Sequence, residues 1–167
     1  MKNQYFGDIN DYRKYSLLRI LIGTGKLSTG ICWMLTPDHG GTDGRFTNYL
    51  QVPQKWRHYD PHLFDYIHQA LINDGIRSVQ LIQDEHILPG VAFWDKPLTD
   101  SDAERSAYFS EMRRKFLGRD LIFFDPDNGI EVSSKPRGSV DSSKYVYWDE
   151  LLETYRFGHS ILIYQHF

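Results

Sequence analysis

The sequence predicts an α/β protein, a three-layer α/β/α sandwich around a mainly parallel sheet. Three observations predict it. Helical and strand-like segments alternate along the chain. The strand-like segments, above all Leu121-Ile-Phe-Phe124, are short unbroken apolar runs, as expected of strands covered on both faces. The main runs then stop at polar loops: Thr36 to Arg45 after one, Asp125 to Gly129 after another, Gln165-His166-Phe167 after the last.

The 167 residues suit one domain with a substantial core, and 10 Phe, 11 Tyr and 4 Trp mark a folded chain. A net charge of −3 argues against non-specific coating of nucleic acid, though not against a local basic patch. The one cysteine, Cys32, lies in an apolar run and cannot form a disulfide within the chain, which points to a reducing compartment. The first residues have no apolar signal core, and no apolar run is long enough to span a bilayer. A soluble, cytoplasmic protein without a membrane partner is expected.

In chain order, Asp8 or Asp11 caps a first helix from about Asp11 to Ile22. Tyr15, Leu18 and Ile22 share a face, Leu17 and Leu21 lie beside them, and Gly23-Thr24-Gly25 ends the helix. Lys14 falls beside Asp11 and is expected to pair with it at the surface. Ile31-Cys-Trp-Met-Leu35 is a strand. The loop after it holds Asp38, His39, Gly40, Gly41, Asp43 and Arg45, and either wraps around a ligand or is a solvated surface loop. It has neither common glycine-rich phosphate-binding pattern. Lys55, Trp56, Arg57 and His58 interleave bases and aromatics, suited to stacking on nucleobases, or else Trp56 anchors a core.

Asp60-Pro61 starts a second helix with the stripe Leu63, Phe64, Ile67, Ala70 and Leu71, stopped by Asn73-Asp74-Gly75. Val79 to Ile82 is expected to be a strand, and Val91 to Trp94 an edge strand. Ser101-Asp-Ala-Glu104 reads as a capping box opening a third helix, about Asp102 to Leu117. Its buried side is expected to carry Ala103, Ala107, Tyr108, Met112 and Phe116, with Arg113, Arg114 and Lys115 complementing the helix dipole. A mobile loop, Ser133 to Ser143, brings Lys135 and Arg137 near the strand ends. Tyr145 to Trp148 is short and apolar, Asp149 caps a helix to about Tyr155, and Ile161 to Tyr164 is a second buried strand. Such a strand needs a neighbour on its far edge, so the natural chain is expected to continue past Phe167.

In a parallel sheet the loops after Leu35, Phe124 and Tyr164 share one edge, which is where ligands bind in open α/β sheets. Asp125, Asp127 and Asn128 are therefore candidate catalytic residues, with Asp38, Asp43 and His166 converging on them. Oxygen ligands of this kind also suit Mg²⁺ or Mn²⁺, and so a metal-dependent nuclease or phosphoesterase. A polar turn after a core strand and a catalytically inactive binding module are the plainer alternatives.

Gly7-Asp-Ile-Asn-Asp-Tyr-Arg-Lys-Tyr15, the glycine-containing loop after the first strand and Asp125-Pro126 together resemble S-adenosylmethionine-dependent methyltransferases, distantly those that act on adenine N6 of bacterial large-subunit ribosomal RNA. Asp11 and Lys14 match an Asp and a Lys of the amino-terminal pattern, and Asp125-Pro126 matches the start of Asp-Pro-Pro-aromatic. The resemblance implies a Rossmann-like fold and S-adenosylmethionine as methyl donor. It also implies an amine acceptor in RNA or DNA, Lys14 and Asp125 in the catalytic set, and Asp38, Gly40, Gly41 and Asp43 around the cofactor. Asp127 and Asn128 stand where the second Pro and the aromatic would be. The whole sequence also resembles a bacterial and phage protein family that supplies no activity.

Overall fold

Six strands and five helices form among the described residues, which in the computed structural model are 1–37, 44–84 and 86–165. The strands are β1 (Thr29–Cys32), β2 (Ala92–Trp94), β3 (Leu121–Phe124), β4 (Gly129–Ile130), β5 (Tyr145–Val146) and β6 (Ser160–Ile163). The helices are α1 (Ile9–Gly23), α2 (Pro53–Trp56), α3 (Pro61–His68), α4 (Asp102–Lys115) and α5 (Trp148–Arg156). The chain divides into two compact units: Met1 with Lys26–Pro37 and Gly90–Phe167, and Lys2–Gly25 with Asp38–Pro89.

The first unit holds a four-stranded sheet of order β2-β1-β3-β6, every pair parallel, and β4 pairs with β5 in a second, two-stranded parallel sheet. The chain is thus mixed α/β with a parallel sheet, as expected. The register aligns Cys32 with Trp94 and Phe124, and Phe124 with Ile163. These residues share a face with Ala92, Ile122 and Ile161, and α4 packs on it through Tyr108, Phe109, Met112 and Phe116. Each large apolar side chain buried there stabilises by about 1.5–3 kcal/mol. Gly30 permits the close approach: a Cβ there would lie 2.9 Å from the Phe116 ring and from Ile122 Cδ1.

The second unit is helical. Asp8 caps α1, its carboxylate accepting from Asn10 N at 2.9 Å and Phe46 N at 3.1 Å. Asp60 caps α3, as its position before Pro61 predicts, by accepting from Leu63 N at 3.1 Å. Tyr12, Tyr49 and Phe64 form an aromatic core with ring centroids 5.3–6.0 Å apart. Tyr12 Oη donates to Trp56 O at 3.0 Å and accepts from Asp60 N at 3.1 Å.

Several expectations are corrected. Val79 to Ile82 is not a strand: Ser78 Oγ accepts from Gln80 N at 3.2 Å and starts a 3₁₀ turn, Val79–Gln83, which buries Val79 and Ile82 on one side. The second strand of the sheet is Ala92–Trp94, at an edge as expected. β1 ends at Cys32 because Met34 takes a left-handed φ of 47°, leaving Leu35 in a single bridge with Pro97. Ala103 and Ala107 are exposed, whereas Arg105 and Phe109 are buried, so the inward face of α4 carries a cation. Glu104 closes only half of the expected capping box: Ser101 Oγ accepts from Glu104 N at 3.4 Å, but the Glu104 carboxylate accepts from Thr99 Oγ1 at 2.6 Å. The cap of α5 lies at Tyr147, not Asp149, with Glu150 reaching back to accept from Tyr147 N at 2.9 Å. β6 is an edge strand of the described sheet and half-buried rather than buried.

Candidate functional site at the carboxyl edge of the sheet

Because β1, β2, β3 and β6 are parallel, their carboxyl ends open on one edge. The connection leaving β1 leads to β2 on one side, and that leaving β3 leads to β6 on the other. The strand order therefore reverses between β1 and β3, the position at which such sheets bind ligands. Asp125 and Asp127 follow β3 at this point and are 2 % and 7 % exposed. Asp125 N donates to Cys32 O at 3.1 Å, which holds the start of the loop against β1. The left-handed Met34 sits across from it, a conformation that costs a side-chain-bearing residue energy and clusters at functional sites.

The α-ammonium of Met1 occupies the same place. It lies 2.5 Å from Asp127 Oδ1 and donates to Met34 O and Asp125 O, each at 3.1 Å. Thr36 Oγ1 donates to Asp127 Oδ2 at 2.8 Å, and Thr36 N donates to Met1 O at 3.0 Å. Both oxygens of Asp127 thus have partners. A buried ammonium and carboxylate each carry a large desolvation penalty, and here the pairing and three further hydrogen bonds to these two groups offset it. Met1 had no signal in the sequence, because the contact spans the chain. Thr36 was legible only as the first polar residue of its loop.

Asn128 is exposed, and its backbone N donates to Lys144 O at 2.9 Å. Gly129 has φ 94°, and a Cβ there would fall 2.3–2.6 Å from the Gln165 amide. That amide accepts from Ile130 N at 2.8 Å, so the segment after β6 closes on the segment after β3. Lys144 is paired with Asp141 at 2.8 Å; that hydrogen bond above all raises its pKa, with burial opposing and Asp127 adding to the rise. Asp95 follows β2 on the same edge and is half-buried. In the sequence, Asp95 directly follows the expected edge strand Val91 to Trp94, but a single acidic residue between Trp94 and Lys96-Pro97 carries no site signal of its own.

Lys14 belongs to the second unit. Its Nζ lies 2.8 Å from Asp11 Oδ1, and Tyr15 Oη donates to Asp11 Oδ2 at 3.1 Å. The pairing is the expected one, but Asp11 and Lys14 are 5 % and 6 % exposed, so it is a buried pair and not a surface one. Asp38, His39, Gly40, Gly41, Asp43 and His166 lie outside the described residues. Arg137 and Lys135 are held elsewhere: Arg137 pairs with Asp149 and lies over the Tyr147 ring, and Lys135 pairs with Asp141.

Among the described residues no group of three or more His, Cys, Asp or Glu side chains is arranged to hold a metal ion. No helix among them is long and apolar enough to cross a membrane. No family model, curated protein or solved structure matches the chain.

Proposed function

We propose that the chain is an S-adenosylmethionine-dependent methyltransferase with its reaction site at the β1/β3 strand ends, acting on an amine acceptor in RNA or DNA. One observation carries this reading: Asp125-Pro126 follows β3 directly beside β1, with Asp125 buried where the strand order reverses. Numbered along the chain, the four sheet strands have the order 2-1-3-4, a doubly wound run, which supports a ligand crevice between β1 and β3.

Asp95, half-buried at this edge, suits such a cofactor. Asp95, after β2, would accept from ribose hydroxyls, as an acidic residue does in dinucleotide-binding sheets. The resemblance would give Asp38 or Asp43 the methionine ammonium and Gly40 and Gly41 the close backbone approach, all four lying outside the described residues. The cofactor supplies an activated methyl group, so the protein's task is alignment and exclusion of water. Asp125 would accept an N–H of the acceptor amine and fix its lone pair toward the methyl carbon. Asp127 would act as a positioning residue, holding the loop through Met1 and Thr36.

The test is methyl transfer from isotopically labelled donor to total RNA or DNA, comparing the wild type with Asp125→Asn. Transfer by the wild type and its loss in the folded variant are expected. Equal transfer by both would remove Asp125 from the chemistry. For a Mg²⁺- or Mn²⁺-dependent nuclease, Asp127 would have to give up both Met1 and Thr36, and no observation favours that.

A further inference from the structure

A cluster of cations lies between α4 and α5, in the first unit. Arg105, Arg113 and Arg137 line a cleft of about 210 Å³ with Phe109, Glu150 and Glu153. Arg105 is fully engaged. Its Nε and Nη2 donate to the two oxygens of Glu150 at 2.5 and 2.9 Å, and it also reaches Ser142 O and Tyr145 O. Arg137 is paired with Asp149.

Arg113 differs. It is 9 % exposed, and its Nη2 pairs with Glu153 Oε2 at 2.8 Å, but its Nε and Nη1 have no acceptor. Buried donors without acceptors are rare in folded chains. The partner it has is weakly held, since the Glu153 side chain is 56 % exposed. The Phe157 ring, 5.6 Å from the guanidinium, keeps Arg113 in place.

We propose that this cleft binds a singly charged oxyanion of the carboxylate class, which displaces Glu153 from Arg113. Once Glu153 moves away, the incoming carboxylate takes Nη2 and the buried, unpartnered Nε together, the bidentate arrangement in which arginine binds carboxylates best. Charge sets the class. The cleft is lined by three arginines and the carboxylates of Asp149, Glu150 and Glu153, so with Glu153 swung out the lining carries one positive charge, which the exposed Asp102, 3.5 Å from Arg137, screens only in part. A dianion would meet the fixed carboxylates of Asp149 and Glu150. Phe109 in the wall favours an acid with an apolar body.

The experiment follows the arginine Nε–H resonances of the ¹⁵N-labelled full chain during titration with benzoate. A saturable shift of the Arg113 signal is expected. Arg113→Lys, which keeps the charge but loses the planar fork, should weaken binding by about ten-fold or more, read from backbone amides lining the cleft. Glu153→Gln should tighten it by removing the competing carboxylate; a merely structural Arg113–Glu153 pair would not give that gain. Should Arg113→Lys fail to fold, the gain in Glu153→Gln decides. A peptide with a free terminal carboxylate, compared with its amide and with benzoate, separates a polypeptide terminus from a small acid as the source. Absence of a saturable shift in both wild type and Glu153→Gln would overturn the proposal. So would binding unaffected by either substitution, or inorganic phosphate binding more tightly than benzoate.

Discussion

The α-ammonium of Met1 lies 2.5 Å from Asp127 Oδ1, and the two side chains are only 2 % and 1 % exposed. One ionic contact therefore joins the first residue to the loop after β3, at the point where the strand order reverses. Its geometry makes Asp127 an anchor of the edge that Asp125 occupies.

Asp127→Asn preserves shape but leaves the buried ammonium without its counter-charge. It should cost about 3–5 kcal/mol of stability, the usual penalty for breaking a buried pair from one side. Thr36→Val removes one donor to the same carboxylate and should cost about 1–3 kcal/mol. Urea denaturation followed by tryptophan fluorescence measures both. A loss under about 1 kcal/mol for Asp127→Asn is what a solvent-screened pair would give.

Cys32 is fully buried, with its Sγ 3.4 Å from Tyr108 Oη. Burial pushes its thiol up to about 12, so almost no thiolate exists at neutral pH. Iodoacetamide at pH 8 should leave the native chain unmodified and label it fully in guanidinium chloride. Rapid labelling of the native chain would show that the α4–sheet core opens readily.

Two glycine substitutions should have opposite signs. Gly30→Ala places a Cβ 2.9 Å from the Phe116 ring between sheet and helix, and should destabilise by about 1–3 kcal/mol. Gly23→Ala, at the end of α1 with nothing within 4 Å of the new Cβ, should stabilise by about 0.4–1 kcal/mol. Melting temperatures of the two variants against wild type check this, and a shift in the same direction would contradict the packing described.

Burial alone would raise the Asp100 pKa, but hydrogen bonds from Ser143 N at 2.7 Å and Asp141 N at 2.9 Å, with the Ser143 and Ser142 side chains, outweigh it and hold it below the usual carboxylate value. A depressed acid stabilises the fold above its unfolded pKa and loses that contribution as pH falls through the folded one. The turn at Asp141–Ser143 should therefore keep its amide-exchange protection at neutral pH and lose it in acid below about pH 4. In Asp100→Asn the same amides should show little dependence on pH once intrinsic exchange rates are divided out.

Much of the fold was legible because local chemistry agreed with the tertiary structure. Leu121 to Phe124 is apolar on both faces and became the central strand; Asp60-Pro61 carried its cap and helix start in two residues. Where a residue's partner is remote, local reading failed. Ala103 and Ala107 looked like core and Arg113 like surface, yet Glu150 on α5 draws Arg105 inward and Arg113 is buried against the Phe157 ring. Asp11–Lys14 was visible as a pair but not as a buried one, since no neighbouring residue signals what covers it. At the candidate site, Asp125 and Asp127 announced themselves by type and position. Met1 and Asp95 did not, because one acts across the whole chain and the other is a lone acid after a short edge strand.

Titration of the purified chain with S-adenosylhomocysteine, by calorimetry in buffer containing chelator, tests the methyltransferase reading most directly. Saturable binding at about one ligand per chain, weakened by Asp95→Ala, is the predicted result. Absence of heat up to millimolar ligand, a ceiling of about −4 kcal/mol in affinity, would contradict it.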